Sequence, residues 1–264
     1  MNRTQLQKVY DWFDLYTRGF CTGNERIDSA ICLKIAHTKS VQKETVQLTD
    51  SLELNDQECY VAQACALLHD IGRFEQYSRY QTYSDAKSEN HALLGIRAID
   101  RYNVLADFTP DEKNLILSVV LHHNRASVPQ SRDRQFLFFL KLLRDADKLD
   151  IMRIMTDCYQ GVKTCDAVHI GLPESPEVSD KMIKDLLKKR ICRTEDMKTF
   201  NDFKLFQIGW VFDLNFSWSF LQVKKRKYID TIAAVLPRIE PVKWALTSAY
   251  EYLDKMCGAE RSLK

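Results

Sequence analysis

Apolar residues recur along most of this chain at spacings of three and four positions, the period of an α-helix rather than of a β-strand. Glycine (8) and proline (6) are both scarce among the 264 residues, so few positions interrupt the pattern. The sequence therefore predicts an all-α protein. We expect helices at about residues 4–18, 26–50, 56–72, 87–101, 110–123, 133–157, 178–191, 196–221, 226–236 and 239–257.

One helix start and one loop can be located from local residues. Thr109, Pro110 and Glu112 stand where the N-cap, first and third residues of a helix form a capping box. The segment GLPESPEVSD (171–180), with two prolines and a glycine, predicts a loop. We expect a helical core over 1–160 and C-terminal helices over 161–264 that pack on it, although both could form one continuous domain.

Composition and charge are those of an ordinary globular protein, and we expect a cytoplasmic location. The 38 Lys and Arg nearly balance the 36 Asp and Glu, which argues against nucleic-acid and membrane partners. The basic runs 184–190 and 224–227 are interpreted as solvated helix faces. No signal peptide or membrane-spanning segment is predicted. The eight cysteines form no CxxC pair and indicate free thiols.

Polar residues interrupt the apolar faces of five predicted helices. A single histidine at such a position is usually a core residue bonded to a backbone carbonyl. Five helices that each direct a His or Asp inward would bury groups that need compensation, and a divalent metal ion supplies it. An ion would also explain why the adjacent His69 and Asp70 both face the core. The candidate ligands are His37, His69, Asp70, His91, His122, His123 and Asp147; the pattern favours neither His122 nor His123 over the other, and His169 is interpreted as structural.

Three of these motifs follow one another in the order H…HD…D: His37 in IAHTKSV, the doublet in LLHDIGRF, and Asp147 in LRDADKLD. In this order and context the sequence resembles the HD-domain metal-dependent phosphohydrolases over roughly residues 20–155. The resemblance implies an all-α helical bundle in which His37, His69, Asp70 and Asp147 bind a first metal ion.

Many relatives carry two further histidines between the doublet and the last aspartate. His91 and the HHN at 122–124 stand at those places, so the resemblance implies the two-metal branch, with Asp70 bridging. HHN is similar to an HN in relatives that matches His123, whereas the cyclic-dinucleotide branch uses a doublet there, and both histidines stay candidates. The Gly-Tyr-Pro signature of the cyclic-dinucleotide branch is absent from this sequence. A cyclic dinucleotide is therefore doubtful as the substrate of this protein.

The function we expect is hydrolysis of a small phosphoester, of nucleotide type, by a metal-activated water and two transition-metal ions such as iron or manganese. Asp70 is expected to bridge the two metal ions. Arg73 is the first candidate, and Lys148 the second, to neutralise the charge of the phosphoryl group. Either residue could instead form an ion pair with no catalytic role. Asp150 could orient a ligand or pair with a neighbouring arginine. The alternatives are an HD-type di-iron oxygenase, which uses the same ligands, and a non-catalytic nucleotide sensor.

Two other segments could shape the substrate pocket. Residues 74–90 are interpreted either as a pocket mouth or as a packed surface loop. The aromatic segment 206–220 could cap the pocket or form a dimer interface, which leaves a homo-oligomer open. In the pocket-mouth interpretation, tyrosines stack on a base and two polar residues bind it: Tyr77, Tyr80, Tyr83, Gln76 and Asp85.

Overall fold

The computed structural model describes residues 1–162 and 171–258. Within these ranges the regular structure consists of α-helices and short 3-10 turns, with no strand, which confirms the all-α prediction. The helices are α1 (Arg3–Arg18), α2 (Glu25–Ser51), α3 (Asp56–Leu68), α4 (Gly72–Tyr80), α5 (His91–Arg101), α6 (Pro110–His122), α7 (Arg134–Tyr159), α8 (Asp180–Leu187), α9 (Phe200–Gly209), α10 (Ser217–Lys225), α11 (Tyr228–Ala234) and α12 (Glu240–Gly258).

Contacts divide the chain into two compact units, Met1–Asp150 and Ile151–Lys264. The predicted domain division at residue 160 stays a prediction. His169, interpreted as structural from the sequence, lies outside the described residues. In the described ranges, no helix combines the length and the apolar character that crossing a membrane requires.

The first unit is a helical bundle around one apolar core. Helix α2 packs on α3 and α4, α5 packs on α4 and α6, and α3 also contacts α1 and α6. Helices α1, α2, α3 and α6 each contribute fully buried apolar side chains to this core, among them Phe13, Ile31, Leu68 and Ile116. Their removal from water, at about 25 cal/mol per Å² of apolar surface, favours the compact bundle. The capping box predicted at Thr109 is present and begins α6 at Pro110.

The sequence prediction was wrong between residues 69 and 90. The predicted helix 56–72 ends at Leu68, a turn follows, and α4 then occupies 72–80, where no separate helix was expected. In one continuous helix, two adjacent side chains would point about 100° apart. The turn lets the side chains of His69 and Asp70 approach the same cluster. Phe74 and Tyr77, both buried and three positions apart, are the helical signal that was overlooked.

In the second unit the predicted helix 196–221 is interrupted. Thr199 caps α9 together with Asp202, so this helix begins at residue 200. After α9 a 3-10 turn covers Trp210–Asp213, and α10 begins only at Ser217. In the connection, the side-chain amide of Asn215 donates to the carbonyl of Asp213 at 2.9 Å, a local bond that competes with helical pairing. Helix α12 packs against α8 and α10.

Candidate metal centre

Five helices of the first unit bring polar side chains to one buried cluster. His37 comes from the middle of α2, and Asp147 comes from α7. The other members lie at helix ends: His69 and Asp70 follow α3, His91 is the first residue of α5, and His123 follows α6. The histidines and Asp70 are at most 5 % exposed, so each needs a partner within the protein. We call these residues the centre: His37, His69, Asp70, His91, His123 and Asp147.

Asp70 lies in the middle of the centre, and its two carboxylate oxygens face different histidines. Oδ2 lies 3.6 Å from Nε2 of His37 and 3.7 Å from Nε2 of His69. Oδ1 lies 3.3 Å from Nε2 of His91 and 3.8 Å from Nε2 of His123. The side chains thus form two groups of potential metal ligands that share Asp70, one with His37 and His69 and the other with His91 and His123.

All four histidines are anchored through the same ring nitrogen. Nδ1 of His37 bonds the carboxylate of Asp150 at 2.7 Å, and Nδ1 of His91 bonds that of Asp85 at 2.8 Å. Nδ1 of His69 and of His123 each lie 2.7 Å from a backbone carbonyl of the preceding turn. Carboxylate and carbonyl oxygens accept, so each Nδ1 donates, and a ring in its neutral form presents the lone pair of Nε2 to the centre. This is the arrangement in which proteins orient metal-binding histidines.

Several atoms that face the centre lack a hydrogen bond. Among the described residues, Nε2 of His37, Nε2 of His69 and Oδ1 of Asp147 are buried without a hydrogen-bond partner. Oδ1 of Asp147 lies 3.1 Å from Nε2 of His37 and 3.9 Å from Nε2 of His69. Buried polar atoms without a hydrogen bond are unfavourable, and a cation between them would compensate for the missing partners.

Three separations in the centre match those of ligands on one metal ion, and the other four, at 3.6 to 3.9 Å, are somewhat longer. With bonds of about 2.1 Å, two ligands of one ion lie about 3.0–3.4 Å apart. The 3.1 Å between Asp147 and His37, the 3.3 Å between Asp70 and His91, and the 3.1 Å between the Nε2 atoms of His91 and His123 fall in that range. Imidazole nitrogen and carboxylate oxygen are suitable ligands for iron, manganese and zinc. These residues therefore fit a metal site.

The electrostatics of the centre favour added positive charge. Burial and the Lys34 ammonium lower the pKa of His37, but the carboxylates of Asp147 and Asp150 outweigh both and raise it to about 9. Burial lowers the pKa of His69 to about 4, although Asp70 and Asp147 oppose it. The pKa of Asp70 is well below its usual range despite burial, because Lys34 and His69 stabilise the charged form. The carboxylates are thus held ionised, as metal ligands must be.

Asp85 organises the side of the centre that holds His91. Besides His91, its carboxylate accepts from the side chains of Arg73 at 3.0 Å, Gln76 at 2.8 Å and Asn124 at 3.2 Å. Gln76 is fully buried and also donates to Ser88 at 2.9 Å. Gln76 and Asp85, which the sequence suggested as contacts to a base, instead form this hydrogen-bond network with His91. The signal for Asp85 was its position six residues before a candidate ligand.

The expected phosphate-neutralising residues have protein partners. Arg73 donates through Nε to Asp70 at 3.4 Å and through Nη1 to Gln76, Asp85 and the carbonyl of Tyr83. Lys148 is 8 % exposed, and its ammonium lies 3.5 Å from the carbonyl of Arg144. Arg73 therefore holds Asp70 and Asp85 in place. Lys34, three residues before His37 in the sequence, was not among the predicted site residues. Its ammonium lies 2.8 Å from the carboxylate of Asp70.

The structure separates the two adjacent candidates His122 and His123. His123 belongs to the centre, and the buried Arg144 donates to its carbonyl at 3.0 Å, which holds the end of α6. The ring of His122 packs against Phe136 at 5.3 Å between centroids, and its Nδ1 bonds the carbonyl of Ser118. His122 therefore lies outside the centre, contrary to its inclusion among the candidate ligands. The helical pattern of apolar residues could not distinguish His122 from His123, because α6 ends between them.

A close approach of two helices places His91 beside Asp70. A Cβ atom built on Gly72 would lie 2.5 Å from the backbone nitrogen of Gly95 and 2.9 Å from Cβ of Leu94, and closer still to the carbonyl oxygen of His91. Only glycine allows α5 to come so near to the turn that carries Asp70. Gly72 in HDIGRF is thus a requirement of the site geometry.

Comparison with known families agrees with this geometry. The family model of the HD domain matches residues 35–152, a range that contains every residue of the centre. No curated protein and no solved structure matches the chain. HD domains are all-α and belong to a superfamily of metal-dependent hydrolases. Because the matched segment carries the H…HD…D residues and the structure clusters them around Asp70, residues 35–152 of this chain are an HD domain.

Proposed function

We propose that this protein is a metal-dependent phosphohydrolase that acts on a small, nucleotide-like phosphoester with two divalent ions such as iron or manganese. The observation that carries the proposal is that each oxygen of Asp70 faces its own pair of histidine Nε2 atoms. Two ions, when bound, would supply an acidified water as nucleophile and offset charge that develops on the phosphoryl oxygens. His37, His69 and Asp147 would hold one ion, His91 and His123 the other, and Asp70 both.

The other residues of the site would hold this arrangement in place. Asp150 and Asp85 fix the ring orientation of His37 and His91 and make their Nε2 atoms better ligands. Arg73 pairs with both Asp70 and Asp85, and so connects the carboxylate proposed to bridge the two ions to the residue that orients His91. Burial keeps bulk water from competing with these contacts.

The test is a hydrolysis assay on protein loaded with manganese or iron. The substrates are p-nitrophenyl phosphate, bis-p-nitrophenyl phosphate and nucleoside mono-, di- and triphosphates. We expect release of phosphate or nitrophenol, reduced at least about 100-fold in His123→Ala and nearly unchanged in His122→Ala. The two variants lose the same side chain at adjacent positions, only one of which faces the centre.

Other outcomes would overturn the proposal. Equal losses in His122→Ala and His123→Ala would show that the activity does not depend on this centre. No hydrolysis of any substrate by metal-loaded protein would also contradict it. Substrate-dependent oxygen uptake by iron-loaded protein, without hydrolysis, would instead favour the di-iron oxygenase.

A further inference from the structure

Lys34 brings a cation to the centre from helix α2. Its ammonium lies 2.8 Å from Oδ2 of Asp70, and the side chain is 18 % exposed. Among the described residues, Asp70 is the one hydrogen-bond acceptor of this ammonium, which carries three N–H donors. Lys34 is therefore anchored at the edge of the centre with donors to spare, and a solvent-borne ligand can reach it.

The ring of Tyr83 is a second contact of the Lys34 ammonium. Nζ of Lys34 lies 5.4 Å from the centroid of the Tyr83 ring, within the range of a cation–π contact. The Tyr83 hydroxyl donates to the carbonyl of Ala30 at 2.7 Å, one turn before Lys34 on the same helix. The Tyr83 carbonyl accepts from Arg73. Tyr83 thus connects α2 to the residue that holds Asp70.

Arg73, a second cation beside Asp70, is held by more protein acceptors than Lys34 is. Three acceptors surround Nη1 of Arg73, and its Nε pairs with Asp70. Among the residues that the structure describes, Lys34 pairs with one carboxylate, and its Nζ lies over the ring of Tyr83. A lysine ammonium is a compact point charge that can donate to a carboxylate and to a phosphoryl oxygen together.

We propose that Lys34 is the phosphate-binding residue of the centre, donating to a non-bridging oxygen of the substrate phosphoryl group, with Tyr83 as its positioning residue. The inference rests on the proposed function in one respect, that a phosphoryl group lies beside Asp70. It moves the neutralising role from Arg73 and Lys148 to Lys34.

The experiment measures binding of inorganic phosphate, the simplest phosphoryl ligand, to manganese-loaded protein by isothermal titration calorimetry. Lys34→Met removes the charge and keeps much of the apolar stem. Lys39→Met is the matched control, because Lys39 lies on the same helix, is 48 % exposed and pairs with Asp14 at 2.9 Å. Lys34→Arg keeps the charge and covers the case in which Lys34→Met folds poorly. Metal content is measured for each variant.

We expect phosphate to bind at least tenfold more weakly to Lys34→Met than to wild type, which corresponds to about 1.4 kcal/mol. Metal content should not change, Lys39→Met should bind as wild type does, and Lys34→Arg should bind more tightly than Lys34→Met. Equal phosphate binding by wild type and Lys34→Met would overturn the inference, as would the absence of phosphate binding by wild type. Loss of metal from Lys34→Met would overturn it too, since Lys34 would then act by holding Asp70.

The two proposals can fail separately. If wild type hydrolyses no phosphoester but binds phosphate through Lys34, the inference stands and the proposed function fails. If wild type hydrolyses phosphoesters and Lys34→Met binds phosphate unchanged, the proposed function stands and the inference fails.

Discussion

Substitution of Gly72 by alanine should disturb one half of the centre through the backbone alone. The new Cβ would lie 2.5 Å from the backbone nitrogen of Gly95, and ordinary van der Waals contact begins at 3.4 Å. Clearing this nitrogen alone requires helix α5 to move by about 0.9 Å, and the carbonyl oxygen of His91, which lies closer still, requires more. Both obstacles are backbone atoms and cannot rotate away. His91 is the first residue of α5 and moves with it.

The size of the effect follows from this displacement. Overpacking of a tight core contact costs about 1–3 kcal/mol, and we expect about 3 kcal/mol because backbone atoms are the obstacle. Metal sites require their ligands within about 0.5 Å of the productive position, and the displacement exceeds that. Gly72→Ala should therefore lose the ion proposed at His91 and His123 more readily than the ion proposed at His37, His69 and Asp147.

The assay combines urea unfolding of the metal-free protein with metal content after reconstitution. Gly95→Ala is the matched control at the same helix crossing, where the new Cβ would meet a side-chain methyl of Ile71 at 3.2 Å. That methyl needs to shift by only about 0.2 Å to reach ordinary contact. Alanine also favours a helix over glycine by about 1 kcal/mol, so the net effect of Gly95→Ala should be much smaller than that of Gly72→Ala. A Gly72→Ala protein as stable as wild type, with full metal content, would refute the reasoning.

Two further substitutions separate ligand orientation from fold stability. Asp150→Asn keeps the shape of the partner of His37 but removes its charge, and should weaken metal binding in that half about 10–100-fold in a competition titration; unchanged affinity would contradict the orienting role of Asp150. Thr109→Ala removes the N-cap of α6 and should lower the free energy of unfolding in urea by about 1 kcal/mol without changing metal affinity; a large change in affinity would contradict this separation.

The sequence predicted the fold class and most helices because a period of three to four residues is a local property. The ligand candidates also followed from it, since polar residues such as His37 and Asp147 occupy places in apolar stripes. The turn at 69–71 could not be predicted in this way. The turn depends on tertiary contacts. The side chains of His69 and Asp70 approach one cluster, and the missing Cβ of Gly72 leaves room for the backbone of α5.

The supporting residues were the hardest to predict. Asp85 lies in a polar segment without periodicity, and its contacts to His91 and Asn124 depend on how three separate elements pack. Lys34 is one of three lysines on the long helix α2, and its 2.8 Å contact with Asp70 distinguishes it. Such roles depend on contacts between residues distant in sequence, which periodicity does not encode.

Metal content tests the central claim most directly. The protein is purified without chelator, loaded with manganese or iron, desalted and subjected to elemental analysis beside Asp70→Ala and Asp107→Ala. Asp107 is an exposed aspartate paired with Lys8 and is the control for loss of a carboxylate. We predict about two ions per chain in wild type and Asp107→Ala, and almost none in folded Asp70→Ala. Metal-free wild type after loading, or full metal content in Asp70→Ala, would contradict a two-metal centre bridged by Asp70.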